Sequence, residues 1–221
     1  MRVLTYNVRS LRDSARDVAY VMRSCGPDVV CVQEAPRFLF WRRKLARLAA
    51  DAGLEVVTGG RSAAACAILA RPGLPLTRRR DLKLSPTRGL HQRGLAMAVF
   101  DIGGRPVGVV SMHLGLRPEE RQRHLREVLA ATRSLDAPVV LGGDVNETPD
   151  RPVWLRLATE FADAAAVAGD PAPTYSATRP VKRIDAVFVD RTITVLACRV
   201  LDGPEVERAS DHRPVLAELA V

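Results

Sequence analysis

Carboxylate, amide and imidazole side chains stand at the ends of several short apolar runs in this chain. The most informative case lies near the C-terminus, where Asp211 and His212 come just before the apolar run 215–219. Similar positions at the edges of other runs are held by Asn7, Glu34, Asp144, Asn146 and Asp185. If these run ends converge, they form an oxygen-rich site for a hard metal ion with one nitrogen base beside it. That combination indicates metal-assisted hydrolysis of phosphoesters.

The apolar periodicity predicts strands interspersed with amphipathic helices. The predicted strands cover residues 2–7, 28–33, 54–58, 64–70, 75–83, 94–101, 105–113, 138–142, 183–189, 193–201 and 214–220. The predicted helices cover residues 14–25, 38–52, 118–134 and 151–158. Tight turn signals such as Asp101–Gly104 indicate antiparallel hairpins. Helices covering the faces of such sheets give an α/β layered sandwich, and no dinucleotide-binding or Walker motif follows any strand.

Length and composition are typical of a soluble globular protein with one domain. The 221 residues are 47% hydrophobic and 26% charged, and we expect a single domain over residues 1–221. No apolar stretch approaches the ~18 residues of a membrane span, and no signal peptide is recognisable, so we expect a cytoplasmic protein without stable membrane insertion. The four cysteines are scattered without a CxxC pair, which predicts buried free thiols and not a zinc site.

The chain carries a net charge of +8 and has a pI of about 10. A basic surface attracts polyanions such as nucleic acid or anionic lipid head groups. The alternative is compositional, because the chain is rich in Arg and Ala with few Lys. The runs Arg78–Arg80 and Arg42–Lys44 are the best local candidates for phosphate contacts, although charge runs are more often solvated faces.

Six motifs in order along the chain carry a resemblance to a known family. They are Thr5–Arg9, Val32–Glu34, Ser111–Leu114, Gly143–Asn146, Arg183–Asp185 and Ser210–Pro214. Together they resemble the endonuclease/exonuclease/phosphatase superfamily, which includes pancreatic deoxyribonuclease, abasic-site endonucleases, neutral sphingomyelinases and inositol-polyphosphate 5-phosphatases. The resemblance implies a four-layer α/β/β/α sandwich, in which two antiparallel-rich sheets pack face to face with helices outside.

The resemblance also implies roles for the residues that would activate water and hold a metal ion. His212 would be the general base, and Asp185 would orient its imidazole. Glu34 would bind Mg²⁺, with Mn²⁺ as a possible substitute, and Asn7 and Asp211 would complete the metal site directly or through waters. For Asn7 the plain alternative is a turn former at a strand end.

Three further residues would act on the phosphate or the nucleophile. Asp144 would position the nucleophile or assist the leaving group, and the resemblance leaves this open. Asn146, predicted to share an extended face with Asp144, would donate a hydrogen bond to the phosphate, the alternative being a loop that caps the next helix. His113 would contact the scissile phosphate, the alternative being a buried structural histidine. His124 is expected to be solvated, and Arg9 to brace the site by pairing with an acidic neighbour.

The pattern departs from pancreatic deoxyribonuclease at one point. No glutamate occurs between Glu55 and Glu119 to pair with His113, so Asp81 would have to take that place. The Ser111–Leu114 segment also differs from the Tyr-rich segment of the abasic-site enzymes and is closer to the sphingomyelinase and phosphatase branches.

Two enzymatic functions therefore compete at the level of sequence. The first is a nuclease that acts on DNA or RNA, and the second is a phosphatase or phosphodiesterase that acts on a lipid head group or a small organic phosphate. A catalytically silent binding module is disfavoured because all the candidate polar positions are filled. We expect a monomer.

Overall fold

A computed structural model describes all 221 residues, which form twelve strands and six α-helices. The strands are β1 (Arg2–Asn7), β2 (Val29–Gln33), β3 (Glu55–Gly60), β4 (Cys66–Ala70), β5 (Leu76–Lys83), β6 (Gly94–Ile102), β7 (Arg105–His113), β8 (Val139–Asp144), β9 (Ala162–Asp163), β10 (Asp185–Val189), β11 (Thr194–Val200) and β12 (Val215–Ala220). The helices are α1 (Ala15–Cys25), α2 (Trp41–Asp51), α3 (Pro118–Arg133), α4 (Pro152–Glu160), α5 (Ala164–Ala168) and α6 (Pro204–Ala209). No helix combines the length and apolar character that crossing a bilayer requires.

The strands form two six-stranded sheets. The first has the order β11-β12-β1-β2-β4-β3, and the second has the order β5-β6-β7-β8-β10-β9. A buried cluster that includes Val3 and Ile68 from the first sheet and Val109 and Val187 from the second lies between them. Helices α1, α2 and α6 pack on the outer face of the first sheet, and α3 and α4 pack on that of the second. The predicted four-layer α/β/β/α sandwich is confirmed.

Each sheet contains one parallel pair of strands, and both pairs end at the same end of the sandwich. Helix α1 connects β1 to the parallel strand β2, and α3 connects β7 to the parallel strand β8. All the other pairs are antiparallel, as the turn signals indicated. Parallel pairing brings the last residues of both strands to the same edge, so Asn7 is beside Gln33 and His113 is beside Asp144.

Helix boundaries follow the local sequence. The Ser14 side chain accepts a hydrogen bond from the backbone of Asp17 and caps α1, which ends at Gly26 in the left-handed conformation. Pro118 opens α3, and two glutamates in the first turn complement the helix dipole. The cysteines are all buried and free, as predicted.

The differences from the predicted elements concern short or irregular segments. The helix predicted over 38–52 begins only at Trp41, because Phe40 has a left-handed backbone with φ of 59°. Helices α5 and α6 and the two-residue strand β9 were not predicted. These elements contain two to six residues, too few to show a periodic pattern.

Two consecutive glycines, Gly142 and Gly143, precede Asp144 at the end of β8. They allow the neighbouring strand β7 and the opposite sheet to approach β8 closely. A Cβ atom at Gly143 would overlap the backbone oxygen of Met112, whereas one at Gly142 would lie 3.0 Å from the side chain of Cys31 in the opposite sheet. The backbone contact cannot yield without displacing β7, but the side chain can move slightly.

We therefore expect Gly143→Ala to destabilise the protein by about 1–3 kcal/mol, and Gly142→Ala to cost less. Urea unfolding of both variants beside the wild type would measure this. Equal losses for the two variants would contradict the assignment of the tight approach to the strand backbone.

Candidate active site

A buried hydrogen bond between His212 and Asp185 joins the two sheets at this end of the sandwich. His212 lies just before β12 in the first sheet, and Asp185 is the first residue of β10 in the second. The Nδ1 atom of His212 lies 2.9 Å from Oδ2 of Asp185, within the range expected for an oriented general base. The other carboxylate oxygen of Asp185 is buried and has no hydrogen-bond partner.

A second contact between the sheets holds the residues beside this pair. The side-chain amide of Asn7 donates to Oδ2 of Asp144 over 3.1 Å. The same carboxylate oxygen lies 3.3 Å from Nε2 of His113 and 3.9 Å from Nε2 of His212. Asp144 is thus surrounded by an amide and two imidazoles that come from different elements.

The turn after β8 differs from the predicted extended segment. Asn146 has a positive φ of 54°, and its backbone N–H donates to Oδ1 of Asp144 over 2.9 Å. The segment after Asp144 is therefore a turn and not an extended strand, and the prediction of a shared extended face was wrong. The Asn146 amide donates to the carbonyl of Leu114 over 3.0 Å, which orients it along the cleft wall.

The partner of His113 is a cation and not the carboxylate considered from sequence. The guanidinium of Arg93 lies 3.0 Å from Nδ1 of His113 and can only donate, so Nδ1 is the acceptor and Nε2 carries the proton. Asp81 instead accepts hydrogen bonds from Thr58 and Ser62. The Nε2–H of His113 therefore faces Asp144.

The two histidines are driven to opposite charge states. Burial and the charge of Arg93 hold the pKa of His113 well below its usual 6.5. Burial opposes the charge on His212 too, but the carboxylates of Asp185, Asp144 and Asp211 outweigh it and raise the pKa of His212 to about 10. Burial and the Asp185 carboxylate raise the pKa of Asp144 to about 7.

Glu34 and Asp211 present carboxylates to the cleft above this buried group. Glu34 directly follows β2 with a positive φ of 51°, and its half-buried carboxylate makes no hydrogen bond or salt bridge to another residue. Asp211 pairs with Arg9 at 3.3 Å, and Arg9 also contacts Asp13. Arg9 thus lies against acidic neighbours, as its role as a brace requires.

These residues meet in one open cleft of about 1090 Å³. Of the predicted site residues, the cleft is lined by Glu34, His113, Asp144, Asn146, Asp211 and His212. Asn7 and Asp185 lie beneath the surface and contact Asp144 and His212 from below. The structure therefore brings all eight predicted residues together.

The cleft also contains residues that no motif indicated. Arg93 precedes β6, and the ring of Tyr175 lies 4.9 Å from that of His212. Further cations on the cleft wall are Arg12, Arg37, Arg151 and Lys182. None of these residues lies at the end of an apolar run beside an acidic or amide residue. The sequence pattern that identified the other site residues therefore did not identify them.

One cationic run lies away from the cleft, and one histidine is buried where a solvated side chain was expected. The run Arg78–Arg80 is exposed on β5 and does not line the cleft, so its contact with phosphate stays a prediction. His124 is fully buried against Glu120 and the carbonyl of Ser85, so the expectation of a solvated side chain was wrong.

Two groups of residues could hold a metal ion. The ligand atoms of Asp144, Asp185 and His212 lie within 4.8 Å of one another. An ion there would replace the hydrogen bond between His212 and Asp185. The carboxylate of Glu34 follows the residue that pairs with Asn7 and lines the same cleft as Asp211. It could take a hard cation without breaking an existing side-chain contact, and its oxygen donors suit Mg²⁺.

Known proteins resemble this chain in sequence. The sequence profile of the Endonuclease/Exonuclease/phosphatase family matches residues 4–212. An uncharacterised Escherichia coli protein, YbhP, is 27% identical over 160 residues, which cover 69% of this chain and 61% of YbhP. The chain therefore matches less than two thirds of that relative.

Solved structures resemble the whole chain. A mannosyl-6-phosphatase of Bacteroides thetaiotaomicron is 19% identical, with a TM-score of 0.85 and full coverage of both chains. D. rerio TDP2, determined with a single-strand DNA product, is 17% identical, with a TM-score of 0.77 and coverage of 100% and 99%. At these identities the likeness establishes the fold.

We expect His212 to remain an imidazolium at neutral pH in the metal-free protein, whereas His113 is neutral. Because the folded-state pKa of His212 is raised, the stabilisation from its pair with Asp185 is fully present below pH 6.5 and is lost as the pH rises towards about 10. Long-range proton–nitrogen NMR spectra recorded in EDTA would report both rings. Asp185→Asn should lower the pKa of His212, and a wild-type His212 that titrates near 6.5 would contradict the assignment.

Proposed function

The chain belongs to the endonuclease/exonuclease/phosphatase family, and from this premise we propose that it is a metal-dependent hydrolase of phosphodiester bonds in DNA or RNA. The observation that carries the proposal is the buried pair of His212 and Asp185 in a cleft that also presents the free carboxylate of Glu34. A base and a metal ligand that face one cavity can act on the same phosphate.

His212 acts as the general base. Its Nδ1–H is committed to Asp185, so Nε2 is the ring atom that can take a proton from water. As the water oxygen forms its bond to phosphorus, the proton passes to Nε2 and the carboxylate of Asp185 stabilises the resulting imidazolium. The bond to the leaving oxygen breaks, and that oxygen then takes up a proton from solvent.

Asp144 positions the attacking water in this proposal. Its Oδ2 atom lies 3.9 Å from Nε2 of His212, a separation that one water can bridge by hydrogen bonds to both atoms. The hydrogen bond from Asn7 fixes that oxygen in place. This arrangement favours positioning of the nucleophile over assistance to the leaving group.

Glu34, Asn7 and Asp211 would hold the metal ion, for which Mg²⁺ or Mn²⁺ is suited. When bound, a divalent cation supplies electrophilic stabilisation of the phosphate oxygens and its charge disfavours the proton on His212. Oδ1 of Asn7 accepts the backbone N–H of Arg9 and keeps a second lone pair. The salt bridge with Arg9 holds Asp211 beside this group.

His113 and Asn146 stabilise the phosphate as donors. The tautomer set by Arg93 leaves the proton of His113 on Nε2, where it faces Asp144 and would be shared with a phosphate bound beside that carboxylate. The Asn146 amide uses one N–H on Leu114 and has a second available to the cleft. Both would act on charge that develops in the transition state.

Nucleic acid is favoured as the substrate by the charges around the cleft. The carboxylates Glu34, Asp144 and Asp211 are buried or half-buried, whereas the cleft is also lined by the exposed cations Arg12, Arg151 and Lys182. A polyanion would contact the cations on either side of the scissile phosphate. The TDP2 structure, determined with a single-strand DNA product, provides a precedent on this fold.

The second candidate is a phosphatase or phosphodiesterase that acts on a lipid head group or a small organic phosphate. The observation that favours it is the full-length structural likeness to a mannosyl-6-phosphatase. Such a substrate would use the base and the metal ligands in the same way but would leave the outer cations of the cleft unused.

A substrate panel with Mg²⁺ or Mn²⁺ would test the proposal. We expect hydrolysis of plasmid DNA, single-stranded DNA or RNA, sensitive to EDTA, in preference to sphingomyelin, inositol phosphates and a sugar 6-phosphate. His212→Ala should lower turnover by roughly 10²–10⁴ with little change in KM, because proton transfer is confined to the transition state. Preferred turnover of a small phosphate would reject the nuclease, and unchanged turnover of His212→Ala would reject the base.

Glu34→Gln should raise the Mg²⁺ concentration needed for half-maximal activity, because it removes the charged ligand. Stability in EDTA should not fall, since the carboxylate makes no contact within the protein. Glu55→Gln, a change of the same kind at an exposed position on β3, provides the control. An identical metal dependence for the two variants would remove Glu34 from the metal site.

A further inference from the structure

A second groove adjoins the cleft and has no part in the chemistry described above. It is formed by residues 37–43 together with Arg61, Ala64, Lys83, His91 and Gln92, and its volume is about 940 Å³. We call it the aromatic-basic groove. Arg37, Phe38, Ala64 and His91 line both the groove and the cleft. A ligand that leaves the cleft on this side therefore enters the groove directly.

Three consecutive large apolar side chains are exposed at the groove. Phe38, Leu39 and Phe40 have 69%, 75% and 60% of their surface accessible. They form the irregular segment before α2, where a helix had been predicted. Exposed apolar residues that occur together, and not singly, are typical of an interaction site.

The ring of Trp41 is held in place beside these exposed side chains of the groove. Its ring packs so closely on Gly60 that a Cβ atom there would overlap it. The guanidinium of Arg42 lies 4.4 Å from the Trp41 ring, and that of Arg37 lies 5.3 Å from the Phe38 ring. Two of the rings on this segment are thus each paired with a neighbouring guanidinium group.

The charge of the groove is of one sign. Five cationic side chains line it, namely Arg37, Arg42, Arg43, Arg61 and Lys83, and no carboxylate does. This contrasts with the cleft, whose lining includes Glu34, Asp144 and Asp211. A groove of this charge is complementary to a ligand that carries repeated negative charges.

We propose that the aromatic-basic groove binds single-stranded nucleic acid on one side of the scissile phosphate. Bases stack on Phe38 and Phe40, and backbone phosphates contact Arg42 and Arg43. Positive charge that follows a strand, combined with exposed rings, is the arrangement by which proteins bind single strands without reading their sequence. The inference rests on the proposed function, since it extends the same substrate beyond the cleft.

A single strand fits these features better than the alternatives do. In a duplex the base faces are stacked on one another and cannot reach the rings, so a duplex would use only the cations. An anionic bilayer would also attract cations and apolar tips, but it would not extend into a concave groove that continues into the cleft. A bilayer is therefore the competing outcome of the test.

Binding can be measured apart from hydrolysis by working in EDTA. Fluorescence anisotropy with labelled oligothymidylate and oligouridylate would give the dissociation constants at low salt. The double substitution of Phe38→Ala with Phe40→Ala should weaken binding by about tenfold or more, because two stacking surfaces are lost. Arg43→Ala should weaken binding and reduce its salt dependence by about one phosphate contact.

Matched controls come from the same chain. Tyr20→Ala removes an exposed aromatic ring outside the groove, and Arg47→Ala removes an exposed cation one turn further along α2. Both should bind the oligonucleotides as the wild type does. The difference between oligothymidylate and oligouridylate shows whether DNA or RNA is preferred.

The groove assignment and the proposed function can fail separately. Hydrolysis of bis(4-nitrophenyl) phosphate by the wild type with Mg²⁺ or Mn²⁺ tests the catalytic site alone. If the phenylalanine variant binds oligonucleotides as tightly as the wild type, the groove is not a stacking site and the inference is overturned. Binding to vesicles of anionic phospholipid that depends on Phe38 and Phe40, without binding to oligonucleotides, would also overturn it.

Discussion

The hydrogen bond between His212 and Asp185 is the contact on which both the site and its end of the sandwich depend. Elsewhere the two sheets meet through apolar side chains, but at this end they meet through polar groups. Asn7 with Asp144 makes a second such contact. Removing one member of a buried charged pair leaves an uncompensated charge, so this pair determines how the sheets lie at the cleft.

Further polar contacts continue this constraint below the cleft. The Gln33 amide donates to the hydroxyl of Ser111, which itself donates to the carbonyl of Val32. These bonds again link the first sheet to the second. Buried polar groups with complete hydrogen bonding specify one arrangement of their elements. The distances from His212 to Asp185 and Asp144 are therefore a property of the packing of the sheets.

The same burial acts on both histidines, yet their neighbours give them different chemistry. Arg93 fixes the tautomer of His113 and disfavours a charge on it, whereas carboxylates favour the charge on His212. The cleft is lined by buried and half-buried carboxylates together with exposed cations. This separation allows a cation and a phosphate to be attracted to one cavity.

The sequence by itself determined the strand and helix pattern, the family and the set of eight polar residues. Strand-end positions and helical periodicity are local properties, and the order of the motifs identifies the family without reference to contacts. It could not identify Arg93 as the partner of His113, because the two residues belong to different strands and no carboxylate marks the position. It also left α5 and α6 unrecognised, since such short helices are formed through their packing.

Only the tertiary structure decided the charge states, the turn at Asn146 and the surroundings of the exposed aromatic segment. The pKa of a buried imidazole depends on every charge around it, and Asp185 and Asp144 lie 27 and 68 positions away from His212 along the chain. The sequence predicts a helix that begins at residue 38, but the structure leaves the rings of Phe38 and Phe40 exposed in a groove that Arg61 and Lys83 also line. Contacts between distant residues form only when the sheets pack, and the chemistry of this site consists of such contacts.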